Sequence, residues 1–326
     1  MPAAIPAASL SHPVIAKVRR RLIPFLFLLY VIAYLDRVNV GFAALEMNRD
    51  LGFSAAVYGL GSGIFFISYT LLEVPSNLVL DRVAAGRWIA RIMLTWGIVS
   101  SAMAFVQDAT TFYVLRFLLG AAEAGFFPGI IFYLTQWFPA RDRAHAVALF
   151  MTGTAMAGVI GGPLSSALLL LDGLGGLHGW QWLFIVEGLP AVVLAPVVWR
   201  RLGEGPATAR WLSDDERRWL VATLAAEQAA RPDTRGTLSA AFASGRLWTL
   251  SAVYFAIVLA IYGVSFWLPQ ILQALGTASP ATVALVSALP YVAAAAAMVM
   301  VGRHSDARGE RRWHVALSAV VGAAGF

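Results

Sequence analysis

Apolar positions in this chain come in long uninterrupted blocks, not in the alternation of a half-buried strand or the narrow stripe of a surface helix. Eight blocks span about residues 22–45, 57–79, 88–107, 110–137, 145–171, 179–199, 247–272 and 279–301. Each approaches or exceeds the roughly 20 residues a helix needs to cross a bilayer core. A ninth run begins near Trp313 and reaches Phe326, too short to span. One long polar stretch, 200–246, interrupts the series. Inside it Ser213-Asp214-Asp215-Glu216 reads as a capping box, followed by Arg217-Arg218-Trp219-Leu220 and an Ala-rich run to Ala230. This predicts an amphipathic helix. Its tryptophans and arginines suit the inner membrane surface, and a solvated linker helix fits equally. The expected fold is all-α and integral to the membrane. It comprises an N-terminal tail 1–21, a complete six-helix bundle 22–199, a linker 200–246, and a partial second bundle 247–326 with helices seven, eight and the start of nine.

Composition strengthens the membrane reading. Of 326 residues 59% are hydrophobic and 13% charged, with a mean hydropathy of +0.72, whereas soluble domains carry about 25% charge. A soluble enzyme, a disordered chain and a disulfide scaffold are thereby excluded. The absence of cysteine removes thiol catalysis and Cys-ligated metal centres. The net charge of +6 raises nucleic acid as a partner, and the placement of the basic residues answers it. If the blocks cross in alternation, 21 of the 24 Lys and Arg fall on the side of the N-terminus. Arg49 alone falls opposite, and Arg37 and Arg116 lie inside spans. By the positive-inside rule the chain is a multi-pass protein of the cell inner membrane with a cytoplasmic N-terminus. The lipid bilayer, not nucleic acid, is the partner of this charge. The first 16 residues lack a sustained apolar core, and Lys17, Arg19, Arg20 and Arg21 precede a full-length span, so no cleavable signal peptide is expected.

The two bundles echo one another. Asp81-Arg82-Val83-Ala84-Ala85-Gly86-Arg87-Trp88 follows the second block. Gly302-Arg303-His304-Ser305-Asp306-Ala307-Arg308-Gly309-Glu310-Arg311-Arg312-Trp313 follows the eighth, six helices later. Each sets an acid, a glycine and arginines in a short turn before a Trp-initiated helix, as parallel repeats would. Asp81, Arg82, Gly86 and Arg87, with Asp306, Arg308, Gly309 and Arg311, are therefore candidates for a charge lock that holds one conformation closed. Plain positive-inside topology with a glycine turn is the simpler alternative.

Ionisable residues at membrane depth are costly and mark pathways. Here they are Asp36 and Arg37 in the first block, Glu73 in the second, Arg116 and Glu123 in the fourth, and Glu187 in the sixth. Arg116 and Glu123 stand seven apart, two helical turns on one face. Arginine presents a planar fork to carboxylates and stays charged, so Arg37 and Arg116 suit an organic anion. A carboxyl group whose burial and arginine contacts vary can exchange a proton, which suits Asp36 and Glu123. Two structural ion pairs would be the alternative. Glu73 and Glu187 each lie near a proline, Pro75 and Pro190, and a structural or gating role is favoured. Tyr30, Tyr34, Asn39, Tyr69 and Asn77 could hydrogen-bond a polar ligand from the first bundle, and Tyr254, Tyr262, Trp267, Gln270 and Tyr291 from the second, though each suits packing as well. Small residues at Gly120, Ala124, Gly125 and Gly129 permit close helix crossings. No nucleophile–base set, phosphate-binding loop or metal-binding pattern occurs, so neither catalytic nor metal-ligating residues are expected.

The stretches Tyr34-Leu-Asp-Arg-Val-Asn-Val-Gly41, Glu73-Val-Pro-Ser-Asn77, Gly86-Arg87-Trp88, Arg91-Ile-Met-Leu-Thr-Trp-Gly97, Arg116-Phe-Leu-Leu-Gly-Ala-Ala-Glu-Ala-Gly-Phe-Phe-Pro-Gly129 and Trp137-Phe-Pro139 resemble the major facilitator superfamily. More narrowly they resemble its anion:cation symporters of the tartrate, phthalate and hydroxyphenylacetate permease type. The resemblance implies uptake of a small organic acid anion with protons by alternating access, with no cofactor beyond the proton gradient and no enzymatic activity. It assigns proton coupling to Asp36 and Glu123 and anion binding to Arg37 and Arg116. A monomer is expected. The first charged turn differs from the family pattern, with three residues between Arg82 and Gly86 where the pattern has one. The family has twelve helices, so a chain truncated in the ninth is expected, and a non-transporting fragment or sensor of the same fold is the competing reading.

Overall fold

The computed structural model describes residues 7–80, 82–230, 242–276 and 279–325, without the side chains of 7–12 and of Asp306. Asp81, one residue of the expected lock, lies outside the described residues, as does the side chain of Asp306. Eight helical spans run Pro13–Asp50, Ala55–Leu80, Ala85–Phe105, Ala109–Thr135, Ala140–Leu169, Gly179–Arg201, Gly245–Ala274 and Pro280–Ser305. They stand where the apolar blocks put them, and a further helix, Arg312–Gly325, follows.

The first helix starts well before residue 22 and runs unbroken over Ala7–Asp50. Val14, Val18, Leu22, Leu26 and Leu29 are all buried, and their spacing of three to four puts them on one helical face. The tail is thus an extension of the first span, held by the same core as the bundle. Close crossings follow the small residues. A Cβ on Gly120 in the fourth span would strike the backbone of Phe65 in the second, and one on Gly97 would strike the sixth span at Gly188 and Ala191.

The fourth span is not one rod. Its helix stops at Glu123 and restarts at Phe126. Between them Gly125 adopts φ of 91°, a left-handed conformation that a Cβ disfavours, and a Cβ there would also strike Ser76. Broken helices in membranes occur where other protein groups replace the lost backbone bonds. Here the break falls immediately after a buried carboxylate.

The stretch after the sixth span docks back onto the first bundle. Its helix, Asp214–Ala229, starts on Ser213, whose Oγ accepts from the Glu216 amide while the Glu216 carboxylate accepts from the Ser213 amide. The same carboxylate takes a 2.6 Å ion pair from Lys17. At the other end Glu227 accepts from the Ala140 amide at 3.0 Å, capping the fifth span. Leu220 is fully buried, and Trp211 stacks on Trp137 with centroids 5.5 Å apart. The amphipathic face therefore meets protein and not lipid, because the cores of the first, fourth and fifth spans come together beneath it.

Burial pushes the Glu216 carboxyl up, but the hydrogen bonds from Lys17 and Ser213 outweigh it, and the group titrates below its ordinary value of 4.5. A carboxyl lowered in the docked state stabilises docking at pH above that ordinary value and loses the contribution as pH falls through the lowered one. Protease cleavage within 214–229 is accordingly expected to accelerate below pH of about 4.5. In Glu216→Gln it should be faster at neutral pH and nearly flat with pH.

The two bundles meet unevenly. Tyr58 donates to the Phe266 carbonyl at 2.8 Å and Asn48 to Gln270 at 3.4 Å. Gly158 and Gly162 of the fifth span lie against Tyr291, Ala284 and Ala288 of the eighth. These contacts lie from mid-span to the end remote from the N-terminus. At the other, arginine-rich end the seventh and eighth spans leave Trp248, Leu250, Tyr254, Val299 and Met300 exposed.

Candidate functional site

At mid-membrane depth the first span divides two neighbouring charges between two neighbours. Arg37 turns toward the fourth span, where Nε and Nη2 both donate to Glu123 Oε2, at 3.1 and 2.5 Å. Its third nitrogen, Nη1, donates to the hydroxyl of Tyr262 at 3.1 Å. One guanidinium therefore ties together the first, fourth and seventh spans, and so both bundles. Its flat face lies over Tyr69, 4.9 Å from the ring centroid, and near Phe65 at 5.5 Å. Tyr34 completes the wall, stacked on Tyr262 at 6.4 Å. Arg37 retains 13% side-chain exposure while Glu123 has 1%. A residual edge of the guanidinium thus stays accessible, while the acid is fully buried. Glu123 Oε1 is buried and has no hydrogen-bond partner.

Asp36 faces the other way. Its Oδ1 accepts from Ser100 in the third span and from Asn39. Its Oδ2 is buried without a partner. Glu187 of the sixth span lies within electrostatic reach of Asp36 and accepts from Ser165 at 3.4 Å, again with one oxygen orphaned. Three carboxyl groups are thus buried in the first bundle, and of these only Glu123 has an arginine directly on it. Orphaned buried polar oxygens are costly in a structure meant only to be stable, and they leave each of these groups able to accept a proton.

Arg116 is placed differently from Arg37. It is fully buried, donates at 3.3 and 3.4 Å to the carbonyls of Gly61 and Ser62, and packs over Phe65 at 4.8 Å. Phe65 lies close to both arginines. Arg116 Nη1 has no partner. Asp36, Arg37, Arg116 and Glu123 therefore occupy one neighbourhood, with Arg37 and Glu123 in direct contact. Tyr34 and Tyr69 flank Arg37.

The charged turns lie away from this site. Arg87 forms a 2.9 Å pair with Glu204, just past the sixth span of its own bundle. Gly86 packs so tightly on Leu202 that a Cβ would strike its carbonyl. Arg82 is exposed. In the second turn Gly309 has φ of 63° and ends the eighth helix at Arg308. Glu310 then accepts from the Trp313 amide at 2.9 Å, starting the helix that also carries Arg311's successor, Arg312. Sequence reasoning left two features of the central site unmarked: the break after Glu123, and Tyr262 as the partner of Arg37. The first was signalled by Gly125 with Pro128 three residues on. The second had no local signal, because 225 residues separate the pair.

The profile of the Major Facilitator Superfamily matches residues 26–326. A protein of Agrobacterium vitis named "Putative tartrate transporter" is 52% identical over 319 residues, covering 98% of this chain and 73% of that protein. A Pseudomonas putida protein named "Putative metabolite transport protein NicT" is 47% identical, covering 94% of this chain and 71% of the relative. Among solved structures, a bacterial homologue of the human lysosomal transporter Spinster aligns with a TM-score of 0.71 at 21% identity, over 91% of this chain. The chain spans 63% of the length of that solved protein. With its eight membrane helices in this arrangement and this match along nearly all of its length, the chain belongs to the Major Facilitator Superfamily, a family of transporters and not of enzymes.

Proposed function

We propose that the protein carries a small organic acid anion together with a proton, by alternating exposure of the Arg37 site to the two sides of the membrane. The observation that carries this reading is the shared guanidinium. With Glu123 ionised, the fork of Arg37 is occupied by an internal carboxylate. A proton on Glu123 removes that negative charge and frees two N–H donors for an incoming carboxylate of the same geometry. One proton offsets one carboxylate, so that charge is not buried uncompensated; a dianion such as tartrate brings a second charge, which a second proton has to meet. Tyr34, Tyr69 and Tyr262 supply hydroxyls for a hydroxylated acid. The tartrate named for the 52% identical relative has that chemistry. Tyr262 supports the alternating step, since Arg37 touches the second bundle through it and a ligand on Arg37 would alter that contact. Asp36, with Glu187 nearby, serves as a second proton-accepting group on the opposite side of the first span.

By the positive-inside rule the basic end faces the cytoplasm, which supports a cell-membrane location with a cytoplasmic N-terminus. The test is uptake of labelled tartrate and phthalate into vesicles containing the protein. An inwardly directed proton gradient should drive accumulation that a protonophore abolishes. No accumulation of either acid under the gradient, or accumulation driven by sodium without protons, would overturn the reading.

A further inference from the structure

At the basic end, remote from Arg37, a cavity of about 450 Å³ opens between the first span, the inner part of the fourth span and the segment after the sixth. Arg21, Arg200, Arg201 and Arg210 line it, together with Tyr133, Trp137 and Trp211, and no acidic residue does. We propose that this cavity is a binding site for a phosphate-bearing anion.

Three observations converge. Among the described residues none of the four arginines forms an ion pair, although the neighbouring Arg87, Arg217 and Arg218 each pair with an acid. All four are exposed at the cavity rim, so water screens part of their mutual repulsion, and an anion between them would relieve the rest. Two of the arginines are held in place by aromatic rings: Arg21 over Trp211 at 5.0 Å and Arg201 over Phe25 at 5.7 Å. Cation–π packing of this kind uses the face of the guanidinium and leaves its N–H edge available. Finally, Tyr133 and Trp137, at 0% and 1% exposure, line the cavity, and their hydroxyl and indole nitrogen have no hydrogen-bond partner beyond a weak contact with each other. Buried donors so poorly satisfied are costly, and an acceptor-rich anion at the cavity would improve their bonding.

Phosphate fits this set better than a carboxylate does. It offers several acceptor oxygens to donors arriving from several directions, whereas a carboxylate saturates one fork. The cavity has the volume of a headgroup site. It lies where spans one and six begin and end, at the depth of lipid phosphates, so the phosphate belongs to a membrane lipid or to a soluble phosphoester that enters from the aqueous side. Positive-inside charge alone would scatter arginines over the surface and would not leave indole and phenol donors so poorly satisfied beneath them.

The test uses the purified full chain in uncharged detergent micelles, with bound lipid counted by native mass spectrometry and stability followed by thermal melting. One arm adds phosphatidylglycerol or diacylglycerol, which share acyl tails and differ in the phosphate. The other adds inorganic phosphate or glycerol phosphate against chloride at equal ionic strength. A lipid site retains one phosphatidylglycerol and melts higher with it but not with diacylglycerol. A soluble-phosphate site is protected by millimolar phosphate or glycerol phosphate instead. In either case Arg201→Gln/Arg210→Gln should weaken binding at least tenfold and Trp137→Phe several-fold. Arg303→Gln, a basic-end arginine outside the cavity, should leave it unchanged. Variants count only if they elute as monodisperse protein. Should that fail for the double variant, Arg201→Lys, which keeps the charge and loses the fork, serves in its place with a several-fold loss expected. Failure of every phosphate compound to bind, or equal losses in Arg303→Gln and the cavity variants, overturns the proposal.

Discussion

If the protein carries tartrate as proposed, Arg37→Ala is expected to abolish its uptake, lowering the rate constant at limiting substrate by at least about 100-fold, or about 2.7 kcal/mol at about 1.4 kcal/mol per tenfold. The guanidinium makes three hydrogen bonds to two spans and is the arginine of the central site with an edge left accessible. Removing it also leaves Glu123 as a buried carboxylate without its partner, a defect that costs about 3–5 kcal/mol unless the acid takes a proton. Loss of uptake in Arg37→Ala could therefore reflect loss of fold. Arg37→Lys separates the causes. An ammonium keeps the charge beside Glu123 but cannot offer two parallel donors and a third to Tyr262. Its melting temperature should stay close to that of the parent while uptake remains at least about tenfold down. The check is initial-rate uptake into proteoliposomes set beside thermal melting of the same preparations. Parent-like uptake in Arg37→Lys would remove Arg37 from the anion site.

Glu123→Gln should have the opposite signature. An amide is permanently uncharged, so Arg37 loses its internal competitor whatever the pH. Exchange of labelled for unlabelled tartrate across the membrane should persist, with affinity equal to or tighter than the parent's and independent of pH. Accumulation driven by an imposed proton gradient should fall to the diffusion level. On the proposed mechanism protonation of Glu123 precedes anion binding in the parent, so affinity should rise as pH is lowered. Counterflow and gradient-driven uptake measured on one vesicle preparation distinguish the two. If Glu123→Gln still accumulates substrate against a gradient, the coupling proton resides elsewhere, with Asp36 as the next group to replace.

Much of this organisation can be read from the chain because the bilayer imposes its own length scale. Apolar blocks of about 20 residues specify helices at membrane depth almost without regard to their neighbours, and so the eight spans agree between sequence and structure. The buried charges are legible for a related reason. In a background of 13% charged residues, Asp36, Arg37, Arg116 and Glu123 stand out as groups whose burial needs a justification. The charge and the small residues around Gly120 were likewise visible, since each follows from one-dimensional placement along a helix.

What the pattern could not supply was direction. Asp36 and Arg37 are neighbours in sequence, yet about 100° of helical rotation separates them. That rotation sends one to Ser100 and the other to Glu123. The two arginines looked equivalent by spacing, but Phe65 packs against both, and Arg116 is spent on the carbonyls of Gly61 and Ser62. The helix after the sixth span had an apolar face that suited a membrane, a solvent-facing linker or a protein surface. Lys17, Ala140 and Trp137 decided among these by meeting it.

The sequence by itself thus determined the class, the spans and the short roll of charges at membrane depth, because hydrophobic length and the cost of burying charge are local properties of a chain in lipid. Tertiary structure alone decided which charge meets which. The Arg37–Glu123 pair, the reach of Arg37 to Tyr262 and the arginine-lined cavity at the basic end all depend on helices brought together from distant parts of the chain. A hydrogen bond fixes its partners to within a few tenths of an ångström, whereas hydropathy fixes only depth.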